Sequence, residues 1–207
     1  MQPFTTVTGV VAPLLRDDVD TDAIIPAAFM RSLKTDPADG LFARWRYRQD
    51  GDEEPSFVLN DVRFRQATFL LAGRNFGCGS SRENAVWALA GFGIRAVLAL
   101  GFSDIFRENA YKNGLLPLAL PADDHARLAA AACESTLTIT VDAGNGTITM
   151  PHAAPIGFAL DPRRRARLLA GQDEIDESLA LGDDIARFRA AHAKRLPWLY
   201  DVDVAAG

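Results

Sequence analysis

The first 120 residues alternate short apolar runs with segments of helical spacing. A Val- and Thr-rich stretch, residues 4–15, predicts an early strand. Two segments, 82–92 and 103–114, have the spacing of amphipathic helices, and Gly91 and Gly93 are predicted to stop the first of them. Around them lie three predominantly apolar runs typical of buried strands, at residues 66–73, 95–101 and 115–120. This order of strands and helices favours an α/β fold with parallel pairing.

The rest of the chain follows other patterns. Residues 123–134 have helical spacing, and the alternating stretch after them turns at Asn145-Gly146, a pair that favours a β-hairpin. Residues 31–56 are interrupted by proline and glycine and hold an aromatic cluster, so we expect an irregular surface excursion. From residue 160 to 207 the spacing predicts a helical tail.

Length and composition are those of a globular protein. The chain has 207 residues, 48% of them apolar, which is enough to bury a core, and we predict a single domain over 1–207. The net charge of −5 disfavours a nucleic-acid binder, and the basic run Arg163–Arg165 reads as a solvated helix face. Residues 1–15 contain no Lys or Arg, and no uncharged apolar run in the sequence approaches the ~18 residues of a membrane span, so we expect no signal peptide, no membrane segment and a soluble, cytoplasmic protein.

Metal ligands are scarce. The two cysteines, Cys78 and Cys133, lie far apart in the sequence, and the three histidines have no ligand spacing. A structural zinc site or an iron–sulfur cluster needs about four soft ligands. We expect that this chain alone binds neither, and that it has no disulfide framework.

The densest concentration of chemistry is the loop GRNFGCGSSREN, residues 73–84. A glycine-rich loop between a buried strand and a helix exposes backbone N–H groups at the positive end of the helix, so the first inference is anion binding. The loop lacks the third glycine of a dinucleotide fingerprint, the Gly-Lys-Ser/Thr of a phosphate loop and the Gly-x-Ser-x-Gly of a nucleophile elbow.

What remains is Ser80-Ser81-Arg82 at the start of a helix. Arg82 can hold a carboxylate with two hydrogen bonds, and a serine there can act as a base if the N–H groups and the arginine stabilise its alkoxide. The residues alone leave a second interpretation open, in which Ser80 or Ser81 is an N-cap and Arg82 a surface residue.

Two neighbouring features were weighed and set aside. Asp18, Asp20 and Asp22 have the spacing that begins a calcium loop, but the required glycine and glutamate are Ala23 and Phe29. For Asp17 and Asp18 we expect a solvated turn. Cys78 near a helix start has the position of a reactive thiol, but a small residue packed in a tight loop is the favoured interpretation.

The motifs DVDTDAIIP (18–26), NFGCGSSRE (75–83) and FSDIFRENAYKNGLLP (102–117) resemble the swivel-domain, or small-subunit, branch of the aconitase superfamily, and within it the small subunits of 3-isopropylmalate dehydratase. The resemblance runs in order from about residue 5 to 195. It implies a swivelling β/β/α fold of the α/β class and a hydro-lyase of leucine biosynthesis. It also implies a separate large subunit that carries a [4Fe–4S] cluster, with the active site between the two.

The resemblance assigns roles to residues of this chain. In the family, the first serine of GSSRE, here Ser80, is the base in a dehydration and rehydration of a small dicarboxylate, and the arginine, here Arg82, binds a substrate carboxylate. Ser81 assists, and Asp22 lies in the acidic motif near the active site. Arg31, in the family's specificity loop, is a further candidate carboxylate ligand.

Two departures bear on the substrate. The family usually has histidine after GSSRE, where this chain has Asn84, and the tail sequence before the last helix also differs. A paralogous hydro-lyase for citraconate, dimethylmalate or a similar short diacid is therefore an alternative, and a non-catalytic module that binds anions in the glycine loop is another.

Overall fold

A computed structural model describes residues 1–30, 36–80 and 82–200. The chain divides into two compact units, residues 1–171 and 172–207. Within the described ranges, no helix is both long and apolar enough to cross a bilayer. The single domain over 1–207 stays a prediction, and Arg31 and Ser81 lie outside the described residues.

Unit 1 is built on a seven-stranded mixed sheet with the order β4-β3-β2-β1-β5-β6-β7. Strands β1 to β4 are parallel, and β5 to β7 continue the sheet from β1 in antiparallel pairing. The strands are β1 (Thr6–Leu14), β2 (Phe69–Ala72), β3 (Ala96–Ala99), β4 (Leu116–Ala119), β5 (Thr138–Asp142), β6 (Thr147–Thr149) and β7 (Ile156–Gly157).

Eight α-helices accompany these strands in the described part of the chain, six of them in unit 1. They are α1 (Thr21–Ile24), α2 (Ala43–Arg46), α3 (Glu83–Phe92), α4 (Asp104–Lys112), α5 (Ala122–Glu134), α6 (Pro162–Ala170), α7 (Glu174–Ala180) and α8 (Gly182–Arg195). Ser103 caps α4 as the sequence predicts, because its hydroxyl accepts a hydrogen bond from the backbone N–H of Phe106.

Strands β2, β3 and β4 are buried on both faces almost throughout, which explains their apolar sequences, whereas the first half of β1 is partly exposed. Successive residues of β2 point to opposite sides, so that Leu70 joins a core beneath α3 and α4 while Phe69 and Leu71 join a second core beneath α5 and α6. The sheet is therefore the middle layer of an α/β unit, and its carboxyl-end loops are held between two packed layers.

The predicted α/β class, the strands β1 to β4 and the hairpin at Asn145-Gly146 are confirmed. Three details differ. Gly91, expected to stop α3, lies inside it, and Gly93 with φ of 111° forms its C-cap. The excursion contains short helical turns, including α2. The two-residue strand β7 was not predicted.

Candidate functional site

The loops that follow β1, β2 and β3 meet at the carboxyl edge of the parallel strands. The backbone N–H of Gly77 donates to the carbonyl of Val19 at 2.7 Å, and that of Thr21 donates to the carbonyl of Cys78 at 3.0 Å. On the other side, the N–H of Ser103 donates to the carbonyl of Phe76 at 3.0 Å. The glycine loop is therefore fixed between two neighbouring loops, at the edge where open α/β sheets bind ligands.

Gly77 is required by both conformation and space. Its φ is 74°, in the left-handed region, and a Cβ there would lie 2.2 Å from the ring of Phe106. Phe106 is buried and packs edge-on against Phe76, with ring centroids 5.2 Å apart. Because residue 77 has no side chain, the loop can pass directly over this aromatic contact. The backbone direction of the residues that lead to Ser80 depends on that close approach.

Ser80 lies exposed at the end of this loop, next to the segment that begins α3. Its backbone carbonyl accepts a hydrogen bond of 2.9 Å from the hydroxyl of Thr21, which is buried. The main chain of Ser80 is thus held by a buried side chain while its own side chain faces outward. This is the arrangement required of a group that must meet a substrate from solution or from a partner surface.

Arg82 and Asp22 form an ion pair across the site. The Nη1 of Arg82 donates to Oδ1 of Asp22 at 2.5 Å, and the arginine side chain is mostly covered while the carboxylate is more open. Sixty positions separate the two residues in sequence. Since guanidinium has five N–H donors, the remaining donors of Arg82 are available for a second carboxylate.

The start of helix α3 tests the interpretation that Ser80 is an N-cap residue. Helix α3 begins at Glu83, and its N-cap position is Arg82, whose side chain makes no capping hydrogen bond. Ser80 is therefore not the N-cap, and that interpretation is wrong for Ser80. The positive end of α3 follows directly after Arg82, so helix dipole and guanidinium both favour negative charge in this neighbourhood.

Asp17 and Asp18 do more than the solvated turn expected of them. Oδ1 of Asp17 accepts from the backbone N–H of Arg74 at 2.7 Å, and Oδ1 of Asp18 accepts from the side-chain amide of Asn75 at 2.8 Å. Asn75 has a φ of 53°, so these hydrogen bonds support a left-handed turn at the start of the glycine loop. Both residues are exposed in a bend, as expected, and in addition both hold the loop.

Asp20 is a candidate that the sequence reasoning did not assign. It pairs with Cys78 in an isolated parallel bridge, and its Oδ1 accepts from the N–H of Ala23 at 2.6 Å as the N-cap of α1. Its exposed carboxyl group is thereby fixed beside the glycine loop. The signal was present in DVDTD as an N-cap residue before a short helix.

Cys78 is a packed residue of the loop. Burial raises the pKa of its thiol, and the negative charges of Asp20 and Asp18 raise it further. A reactive cysteine needs the opposite environment, one that stabilises the thiolate. The geometry therefore agrees with the interpretation of Cys78 as a small residue in a tight loop.

Glu83 and Asn84 open helix α3. Oε1 of Glu83 accepts from the side-chain amide of Asn113 at 2.8 Å, and Oδ1 of that amide accepts from the indole N–H of Trp87 at 2.9 Å. This network joins the start of α3 to the end of α4. Asn84 itself is half-buried.

The segment after α1 supplies apolar surface. Phe29 and Met30 are half-buried in a short 3₁₀ turn, Ala27–Met30, that ends where the described residues stop. An open groove of about 380 Å³ lies beside Phe29, and its walls include Pro26, Ala43, Arg44, Tyr47 and Arg48. The segment therefore borders a groove with both apolar and cationic side chains.

The described residues hold no group of three or more His, Cys, Asp or Glu side chains able to bind a metal ion. Cys78 is half-buried in the loop, and Cys133 is exposed on α5. Neither thiol has a second cysteine beside it as a co-ligand, which a cluster site would require.

Comparison with known proteins places this geometry in a family. The Aconitase C-terminal domain family matches residues 1–123. A 3-isopropylmalate dehydratase small subunit from Paramagnetospirillum magneticum is 47% identical over 201 residues, which cover 96% of this chain and 100% of the relative. One from Cupriavidus necator is 47% identical over 205 residues, covering 97% and 99%.

A solved structure agrees with these relatives. The crystal structure of 3-isopropylmalate dehydratase from Methanocaldococcus jannaschii DSM2661 superimposes with a TM-score of 0.62 at 28% identity, and the match covers 92% of this chain and 99% of that one. Sequence and fold thus agree over nearly the full length. The chain belongs to the Aconitase C-terminal domain family and, within it, to the 3-isopropylmalate dehydratase small subunits.

Proposed function

We propose that this chain is the small subunit of a 3-isopropylmalate dehydratase, a hydro-lyase that interconverts 2-isopropylmalate and 3-isopropylmalate in cytoplasmic leucine biosynthesis. The relatives' names support the reaction. The observation that carries the site assignment is the exposed Ser80 held beside the Arg82–Asp22 ion pair. Paired with a large subunit, this edge of the sheet forms half of an active site.

In this proposal Ser80 moves the proton. As alkoxide, Ser80 takes a proton from the substrate carbon while hydroxide leaves the neighbouring carbon, and it returns the proton when hydroxide adds back during rehydration. The charge of Arg82 and the positive end of α3 lower the cost of the oxyanion. The hydrogen bond from Thr21 fixes the backbone, so the side chain needs little rearrangement to reach its position.

Arg82 holds a substrate carboxylate, and Asp22 orients Arg82. One guanidinium nitrogen is taken by Asp22. The planar fork leaves two further nitrogens for the carboxylate of a dicarboxylic acid. Ser81 and Arg31, assigned by the resemblance alone, are proposed as additional substrate ligands.

The [4Fe–4S] cluster that the resemblance implies does not fit the residues of this chain. A cluster needs several thiolates at one point. Among the described residues Cys78 and Cys133 are the free cysteines, and burial with neighbouring carboxylates raises the pKa of the Cys78 thiol. We therefore assign the cluster to the large subunit and restrict the role of this chain to binding, orientation and proton transfer.

The alkyl group of the substrate is proposed to contact the 29–33 segment. Phe29 and Met30 supply apolar surface, and residues 31–33 lie outside the described ranges. Because an apolar pocket discriminates by only about 1–3 kcal/mol per methylene, Met30→Arg should shift preference towards a more polar diacid by about 10- to 100-fold. If the ratio of kcat/KM for isopropylmalate to kcat/KM for the more polar diacid is the same in variant and wild type, the segment does not contact the substrate.

The proposal is tested by purifying the chain with the large subunit encoded in its own genome and assaying a panel of 2-hydroxy diacids. A preference for isopropylmalate supports the proposed function. A preference for a citraconate-type or dimethylmalate-type substrate identifies the paralogous hydro-lyase. Tight dicarboxylate binding without turnover, by the chain alone, identifies the anion-binding module instead.

A further inference from the structure

In the described part of unit 2, large apolar side chains are exposed to solvent. In the described part of this unit, no residue of α7 or α8 is buried. Seven large apolar side chains are between 46% and 72% exposed. We call them the C-terminal apolar face: Ile175, Leu179, Leu181, Ile185, Phe188, Trp198 and Leu199.

The area of the C-terminal apolar face suits a stable interface. Aromatic side chains cover ~150–250 Å² each. On that scale, the exposed fractions leave on the order of 900 Å² in contact with water. One partner's share of a standard protein–protein interface is ~800 Å².

One end of the face is pre-organised. The ring of Phe188 stacks on that of His192 with centroids 5.2 Å apart, and Nδ1 of His192 lies 3.0 Å from the hydroxyl of Tyr200. These contacts hold the turn that carries Trp198 against the end of α8. Rigid aromatic groups of this kind dominate binding energy at interfaces.

The sequence of the face does not fit a coiled coil formed with a second copy. A coiled-coil seam continued from Ile175 and Leu179 would need large apolar residues at positions 182 and 186, where the chain has Gly182 and Ala186. The apolar positions of α8 cover about one heptad, and a two-helix seam needs at least three or four. A broad, shaped protein surface is therefore the better match.

We propose that the C-terminal apolar face docks on the large subunit. This inference rests on the proposed function, because that function supplies an obligate protein partner. The large subunit should present an apolar groove for the helices, with a deeper pocket for the aromatic end. Helix-in-groove recognition of this type uses residues four and three apart as anchors, as Leu181, Ile185 and Phe188 are.

The test measures the dissociation constant between the full-length chain and the purified, cluster-loaded large subunit. Phe188→Asp and Leu179→Asp place a carboxylate in the proposed interface from two different helices. Each should weaken binding by about 30-fold or more, the threshold of a hot-spot residue. Val62→Asp is the matched control, because Val62 is exposed and lies in unit 1; its affinity should stay within about twofold of wild type.

The outcomes separate this inference from the proposed function. Circular dichroism of each variant must match wild type, so that a loss of affinity reports docking. If the wild-type complex forms and turns over, and both aspartate variants bind as tightly, the docking inference is overturned and the function stands. If the variants alter only self-association of the isolated chain, a second copy occupies the face and the inference is also overturned. If the wild-type chain binds no large subunit, both proposals are lost.

Discussion

Ser80 has a backbone held in place and a side chain exposed at the carboxyl edge of the sheet. If it is the base, Ser80→Ala should lower kcat in the assembled complex by ~10²–10⁴-fold with little change in KM. The N-cap of α3 is Arg82, so the variant should lose far less than the ~0.5–2 kcal/mol of a missing cap. Ser56→Ala, at another exposed serine, is the control for kinetics and melting.

A near-normal kcat for Ser80→Ala in the assembled complex contradicts the base assignment. The role would then pass to Ser81 or to a residue of the large subunit. A fall in melting temperature with unchanged kcat would point to a structural function for the Ser80 hydroxyl.

The ion pair of Asp22 with Arg82 gives a second prediction at this scale. Asp22→Asn removes the charge that orients the guanidinium, so KM for the dicarboxylate should rise several-fold while kcat changes less. Arg82→Lys should raise KM further, because an ammonium lacks the planar fork. Both side chains are partly exposed, so unfolding free energy should change by only about 0–1 kcal/mol. A lower KM in Asp22→Asn would show that Asp22 competes with substrate for Arg82.

The environment of Cys78 predicts a pH dependence. Burial, with Asp20 and Asp18 nearby, raises the pKa of the thiol, so its thiolate forms at higher pH than the ordinary value of about 8.5. Alkylation of Cys78 in the folded chain should accelerate with a midpoint above that value, as followed by mass spectrometry in a Cys133→Ser background. Denatured chain supplies the reference midpoint, and a folded midpoint at or below it contradicts the assignment.

At the scale of elements, the glycine loop depends on one close contact. Gly77→Ala places a methyl group against the ring of Phe106 and leaves an alanine at a left-handed φ. The free energy of unfolding should fall by about 1–2 kcal/mol because of the backbone strain. It should fall by a further amount of about 1–3 kcal/mol because the methyl group overpacks the core. Gly93→Ala is the matched control, since its φ is 111° and nothing lies within 4 Å of the added carbon. Urea unfolding measures both. Equal losses would mean that the loop yields to the methyl group.

The sequence predicted those strands and helices that are marked by residues within the element itself. Strands β2, β3 and β4 are continuous apolar runs because both faces are buried, and α4 is marked by Ser103 at its start. Strand β7 has two residues and therefore no period to detect. The break between α7 and α8 falls at Leu181, a residue with no special conformational preference, so it could not be foreseen.

The candidate site, too, could be predicted from the sequence only in part. The motif around Ser80 and Arg82 was visible in the sequence, and Asp22 was placed near it by resemblance. The ion pair between Arg82 and Asp22 joins positions 60 apart and depends on how the β1 and β2 loops meet. The support that Asp17 and Asp18 give to the loop likewise appears only when the two loops are side by side.

At the scale of the whole molecule, the proposed function gives this chain half of a site, and its described residues include no group of three or more His, Cys, Asp or Glu side chains that could hold a metal ion. The isolated chain should therefore be colourless and inactive on isopropylmalate. Mixing it with the large subunit under reducing, oxygen-free conditions should restore activity in proportion to complex formed, because the proposed function assigns the iron to one chain and Ser80 and Arg82 to the other. Apo large subunit, reconstituted without iron, is the control and should bind the chain without turnover. Visible iron–sulfur absorbance in the isolated chain, or turnover by it alone, would show that the cluster and the catalytic groups are not divided between two subunits.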